Sequence, residues 1–310
     1  MRGLMPLSNQ AIEDALTSNH DLISAPASFS YLIALRALRK PILVITASSK
    51  AAEDLFKEIK ELHADTLEFP AWETLPHERL SPSSDTVAKR ISTLHALKDQ
   101  EKNWVVIAPI RSVIHKFNAQ IINTEPIVLE RGLEFNLTEL QQRLVTFSYT
   151  RTDLVERRGE FAVRGGILDI FAPNQDHPIR IDFFGDEIED LSFFTVADQR
   201  TTENITTNIK ILPCRELLIN DEIKLRANEL AATVENELLS KVANGLTPEG
   251  MESLIPLLID DLQLINDSMP NGFEPIFIER ERVIGRVADL LATNEEFRQA
   301  AWSNAAIGGK

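Results

Sequence analysis

Two short runs constrain this chain most: Ile42–Ala47 and Trp104–Ala108 are almost unbroken apolar sequence, rich in β-branched residues. A strand with one wet face alternates apolar and polar residues. A strand that is apolar throughout must be covered on both faces, as in a parallel sheet with helices above and below it. The sequence around the two runs supplies such helices. Phe29–Leu38 carries Phe29, Leu32, Ile33 and Leu35 at helical spacing. Ser48–Leu62 carries Ala52, Leu55, Phe56 and Ile59, and Asp85–Leu97 carries Val87, Ile91, Leu94 and His95. Asp21–Ala25 and Thr66–Phe69 are two further strand candidates. Residues 1–125 therefore predict an α/β domain of alternating strand and helix.

Residues 126–211 change character. Pro126–Glu130 is strand-like, and Asn136-Leu-Thr-Glu139 is a capping pattern that opens a helix to about Phe147. The β-type runs Tyr149–Glu156, Phe161–Phe171, Ile179–Phe184, Glu187–Val196 and Ile205–Leu212 follow, with a hairpin signal at Gly185-Asp186. This predicts an inserted, mostly antiparallel β-rich α+β domain. Residues 212–310 turn helical: Asp221–Val242 has a long 3.6-residue period, Gly245 ends it, and Thr247-Pro248-Glu249 starts another helix. Pro275–Glu279 is a lone strand before the helix Arg282–Phe297, so this segment is expected to pack back onto the first sheet.

The chemistry such a fold usually carries is missing. A phosphate-binding loop needs glycine, so that backbone N–H groups approach the phosphates, and a lysine for the terminal phosphates. The corresponding loop reads Ala25-Pro-Ala-Ser-Phe-Ser30, and no glycine occurs between Gly3 and Gly132. No cofactor site is expected in this segment. The six histidines are scattered; His95 reads as a core or boundary residue, and Cys214, the single cysteine, as a small buried hydrophobe. One cysteine excludes an internal disulfide and a multi-cysteine zinc site. The acidic run Asp186, Glu187, Glu189 and Asp190 is either a Mg²⁺ site or a solvated hairpin end. The net charge of −15 divides as −1, −6 and −8 over the three segments, which disfavours stand-alone nucleic-acid binding. With no signal-peptide pattern and no apolar stretch long enough for a membrane span, the expected location is the cytoplasm.

What remains is a surface. In Ile179-Arg180-Ile181-Asp182-Phe183-Phe184, period-two alternation turns Ile179, Ile181 and Phe183 inward and Arg180, Asp182 and Phe184 outward. In Phe161-Ala-Val-Arg164, Phe161 and Val163 go in and Arg164 goes out, followed by Gly165-Gly166 as a bulge or a close backbone approach. Arg151, Arg157 and Arg158 lie just upstream. An arginine-plus-aromatic cluster on an open sheet face is hot-spot chemistry for a protein partner. The alternative is that Phe184 packs under a loop while the arginines pair with local carboxylates.

These stretches also carry a resemblance. Phe69-Pro-Ala-Trp-Glu-Thr-Leu-Pro-His-Glu-Arg-Leu-Ser-Pro-Ser-Ser-Asp85 with Val87-Ala-Lys-Arg90, then Arg158–Phe171 and Ile179–Glu189, resemble the bacterial transcription-repair coupling factors. The likeness runs along essentially the whole chain and is vague after about residue 215. It implies the UvrB-homology module of that family: a degenerate RecA-like parallel-sheet domain split in sequence, with an inserted domain that binds UvrA. The family's UvrA-contacting positions fall on Arg164, Arg180 and Phe184. By the same resemblance the family's RNA polymerase and DNA contacts, and its ATP- and Mg-dependent translocase, lie outside residues 1–310. The implied role is a non-catalytic adaptor that recruits UvrA to stalled RNA polymerase in nucleotide-excision repair. The alternatives are a UvrB-like excinuclease subunit, a divergent ATPase or helicase domain, and an internal scaffold. UvrB shares the inserted domain but keeps a working phosphate loop and a tyrosine-rich hairpin. Here Phe69–Arg90 contains no tyrosine, and the chain has only Tyr31 and Tyr149.

Overall fold

The computed structural model describes residues 26–74 and 80–308. The expected strand Asp21–Ala25 and the start of the glycine-free loop lie outside the described residues. The loop continues as a 3₁₀ turn, Pro26–Ser28, into helix α1, Phe29–Ala37.

The two apolar runs form adjacent central strands of a parallel sheet. Strand β1 (Ile42–Thr46) leads through α2 (Ser49–Leu62) to β2 (Thr66–Glu68). Helix α3 (Ser84–Ala96) then leads to β3 (Val105–Pro109). β3 pairs in parallel with both β1 and β2. The late strand Glu274–Phe277 pairs in parallel with the free side of β1, so the segment after the β-rich region does return to the first sheet. Burial on both faces explains the continuous apolar sequence. Ile42, Val44, Val105 and Ile107 face α1 and α2, where they meet Ile33, Ala52, Leu55 and Ile59. Leu43, Ile45, Val106 and Ala108 face the other way, onto Val87, Ile91 and Leu94 of α3 and Val283 of the last helix. The helices begin where the sequence supplies caps: the Ser48 and Ser83 hydroxyls accept from the backbone N–H groups of Ala51 and Thr86.

The second sheet has six strands in sequential order, β4 (Thr150–Arg151), β5 (Glu160–Arg164), β6 (Ile167–Ile170), β7 (Ile179–Phe184), β8 (Glu187–Phe194) and β9 (Thr201–Asn204). Every pairing is antiparallel except β4 with β5. Helix α4 (Leu137–Thr146), capped by the Asn136 side chain, lays Leu140 and Leu144 on one face of this sheet. A two-stranded ribbon, Ile127–Leu129 with Ile209–Ile211, closes the same core.

Helix α5 (Asp221–Ala231) and helix α6 (Glu237–Ala243) follow, then α7 (Arg280–Gly308). α5 and α6 correct the single helix expected over Asp221–Val242. β-branched Thr233 and Val234 are weak helix formers, and the Asn236 side chain caps a new helix by accepting from the N–H groups of Leu238 and Leu239. The helix expected to start at Thr247-Pro248-Glu249 starts late and is short, reaching α-helical form only over Ile255–Leu258. Gly250 takes a left-handed φ of 80°, and a 3₁₀ turn over Met251–Leu254 comes first. Phe161–Phe171 is two strands around a tight Gly165-Gly166 turn. Most of Tyr149–Glu156 and Ile205–Leu212 lies outside strands, which reduce to Thr150–Arg151 and Ile209–Ile211.

A buried joint ties the segments together. The Arg90 Nε donates to Glu216 Oε1 at 2.5 Å, and the Trp72 indole N–H donates to the same oxygen at 3.0 Å. Arg90 also donates to Pro70 O at 3.0 Å and stacks on Phe69 at 4.1 Å from the ring centre. Both charged side chains are fully buried. Phe69, Trp72 and Arg90 are therefore the seat on which Glu216 docks.

Candidate partner-binding site

The β5–β6 turn and the β7–β8 turn lie at the same end of the six-stranded sheet, because each sits at the far end of an up strand. Gly165 and Gly185 take φ of 61° and 65° in these turns, conformations that side chains resist. At Gly166 an added Cβ would come within 3.0 Å of the Phe183 carbonyl oxygen, so the close backbone approach is real and the bulge is not.

Strand alternation sorts the side chains as expected. Phe161, Leu168, Ile170, Ile179 and Ile181 are buried under α4, with Val163 and Phe183 packed beside them. The opposite face carries Arg164, Arg180 and Phe184 together. Phe184 is 77% exposed at the end of β7, the most exposed large hydrophobic residue among those described. It does not pack under a loop. The arginines do meet a local carboxylate, and it is a single one. Asp169, fully buried on β6, sits directly opposite Arg180 in the ladder. Its Oδ1 accepts from Arg180 Nε at 2.7 Å, and its Oδ2 accepts from Arg180 Nη2 at 2.9 Å and Arg164 Nη2 at 2.6 Å.

The two arginines differ in setting. Arg180 is mostly buried, donates a third bond from Nη1 to the Gln199 carbonyl at 3.1 Å, and lies over the Phe194 ring at 4.7 Å. Its hydrogen bonds to Asp169 raise its pKa above the ordinary guanidinium value. The Arg164 side chain is 51% exposed. A small second core of Val155, Ala162, Phe171 and Phe194 covers part of this face, while the turn end and the edge strand β9 stay open. On the same face, burial raises the Asp182 pKa, with Asp190 adding to the shift and Arg180 opposing it.

The upstream arginines do not join the cluster as a group. Arg158 turns toward Asp85 on α3, at 3.4 Å, and stacks on Phe171; Arg151 and Arg157 are exposed. Asp186 and Glu187 lie exposed at the hairpin tip, and no group of three metal-capable side chains occurs among the described residues. His95 is half-buried against the Ile121 carbonyl, and burial lowers its pKa. Cys214 is buried beside Tyr149, and burial pushes its thiol pKa far up, away from nucleophilic use. Among the described residues no helix is long and apolar enough to cross a membrane.

Asp169 is the residue that pattern reading missed. The signal was available: an acidic side chain with outward parity on β6, directly across from an outward arginine.

Comparison with known proteins assigns the sheet to a known domain family. The sequence model of the UvrB interaction domain matches residues 127–217, which contain the whole six-stranded sheet. The transcription-repair-coupling factor of Mycobacterium bovis is 41% identical over 304 residues, covering 92% of this chain and 25% of that protein. The proteins of the same name from Bacillus subtilis and Escherichia coli are 31% and 29% identical, covering 61% and 71% of this chain and 16% and 20% of their own lengths. The chain thus spans a quarter or less of the curated relatives described here. With a sheet that falls within the UvrB interaction domain and a likeness running along most of its length, this chain belongs to the transcription-repair-coupling factor family.

Proposed function

We propose that this chain is a docking module that takes UvrA on the turn end of the six-stranded sheet. Arg164, Arg180 and Phe184 make up the docking surface. The observation that carries this reading is the exposed Phe184 on the same sheet face as two arginines, on a part of that face that the second core does not cover. Phe184 fills an apolar pocket of the partner, and guanidinium N–H groups meet partner carboxylates.

In this reading residues 126–211 are an inserted UvrA-binding domain. The flanking segments, 1–125 and 212–310, make one degenerate RecA-like domain around the parallel sheet. The recombined sheet, with Glu274–Phe277 added to β1, supports that division. The module acts as a non-catalytic adaptor in transcription-coupled nucleotide-excision repair. Its longer relatives would supply contacts to RNA polymerase and DNA and an ATP-driven translocase, and its place of work would be the cytoplasm.

The test is calorimetric titration of the 310-residue chain into purified UvrA. Micromolar or tighter binding by wild type, weakened in Arg164→Ala and Phe184→Ala with melting temperatures held, is the expected result. No binding by the folded wild type would leave an internal scaffold as the better reading.

A further inference from the structure

Resting on that docking reading, we infer that Asp169 is the positioning residue of the site and that Arg164, not Arg180, carries the direct charged contact. A guanidinium has five N–H donors. Arg180 spends three of them inside the protein, two on Asp169 and one on the Gln199 carbonyl, and rests on the Phe194 ring. The loop that delivers that carbonyl holds Gln199 at a φ of 59°, a conformation maintained only where surrounding contacts impose it. Arg180 is thereby built into the sheet. Arg164 spends one donor, on Asp169 Oδ2, and keeps four on the half-exposed side of its fork.

Asp169 links the two. Its carboxylate is cut off from water and receives both arginines, Arg180 on both oxygens and Arg164 on one. Two guanidinium charges meet one buried carboxylate here, on the sheet face that also carries Asp182 and Phe184. The ligand chemistry that fits is one partner carboxylate on Arg164 beside an apolar pocket for Phe184. Arg180 acts through Asp169: it fixes the carboxylate, and the carboxylate fixes the Arg164 fork.

A double-mutant cycle in the 310-residue chain, read by titration into UvrA, tests this. Asp169→Asn should weaken binding at least tenfold in the wild-type background and less than twofold in an Arg164→Ala background. Arg180→Lys, which keeps the charge but not the fork, should show the same dependence on Arg164. A general structural defect would cost the same in both backgrounds, and that result overturns the inference, as does wild-type affinity in Asp169→Asn. Should Asp169→Asn fail to fold, the Arg180→Lys cycle decides alone, since the Asp169–Arg164 pair stays charged in it. Failure of the docking reading looks different: Phe184→Ala would then bind UvrA as wild type does, and this inference would fall with it.

Discussion

Phe184→Ala separates a docking side chain from a structural one, and its magnitude follows from burial. An aromatic side chain can bury about 200 Å². With Phe184 77% exposed, about 150 Å² is open to a partner and about 50 Å² is used in the fold. At about 25 cal/mol per Å², complete coverage by a partner is worth up to about 4 kcal/mol. Ordering the ring and imperfect coverage subtract about 1 kcal/mol or more. The net expectation is about 2–3 kcal/mol, a loss of about 30- to 150-fold in affinity for UvrA. The same arithmetic gives about 1 kcal/mol at most for folding, a fall of only a few degrees in melting temperature. The assay is calorimetric titration beside a thermal melt of each protein. A change in Kd below about threefold refutes the idea that this ring enters a partner pocket. A fall in melting temperature beyond about 10 °C refutes the premise that the ring is free of the fold.

Three further outcomes are expected. Glu216→Leu strands the buried Arg90 charge and should destabilise the chain by about 3–5 kcal/mol in chemical denaturation; Arg90→Met with Glu216→Gln, which leaves Trp72 an acceptor, should recover most of the loss, and a single-mutant effect under about 1 kcal/mol would contradict the burial argument. The His115 pKa is lowered from 6.5 to about 4, first by burial and then by the Arg90 charge. The unfolded chain therefore binds a proton that the folded chain refuses. The associated stability, up to about 3 kcal/mol, is present above pH 6.5 and lost as pH falls toward 4, so His115→Phe should flatten the acid limb of melting temperature against pH relative to wild type. Millimolar MgATP should leave the melting temperature unchanged; a ligand at 100 times its Kd adds about 2.7 kcal/mol, so a clear upward shift would favour the divergent-ATPase reading.

Some of this protein was legible in its residues alone. The runs at Ile42 and Trp104 demanded a sheet covered on both faces, because apolar side chains on both sides of a strand leave no face for water. The alternation in Ile179–Phe184 placed Phe184 outward, because a strand's period of two is set by backbone geometry and not by context. The Gly185-Asp186 turn and the Asn136 cap were legible too, because each depends on a few neighbouring residues. Other features needed the folded chain. The break at Thr233–Asn236 turned on a cap competing with helix continuation, which a 3.6-residue period does not register. The Arg90–Glu216 joint spans 126 residues of sequence, and the return of Glu274–Phe277 to β1 crosses the whole β-rich segment. The unequal settings of Arg164 and Arg180 were also invisible in sequence, where both are outward arginines. Their difference comes from where Asp169, Phe194 and the Gln199 carbonyl stand in space. Periodicity decides which face a residue takes, and only tertiary packing decides which neighbours consume its hydrogen bonds.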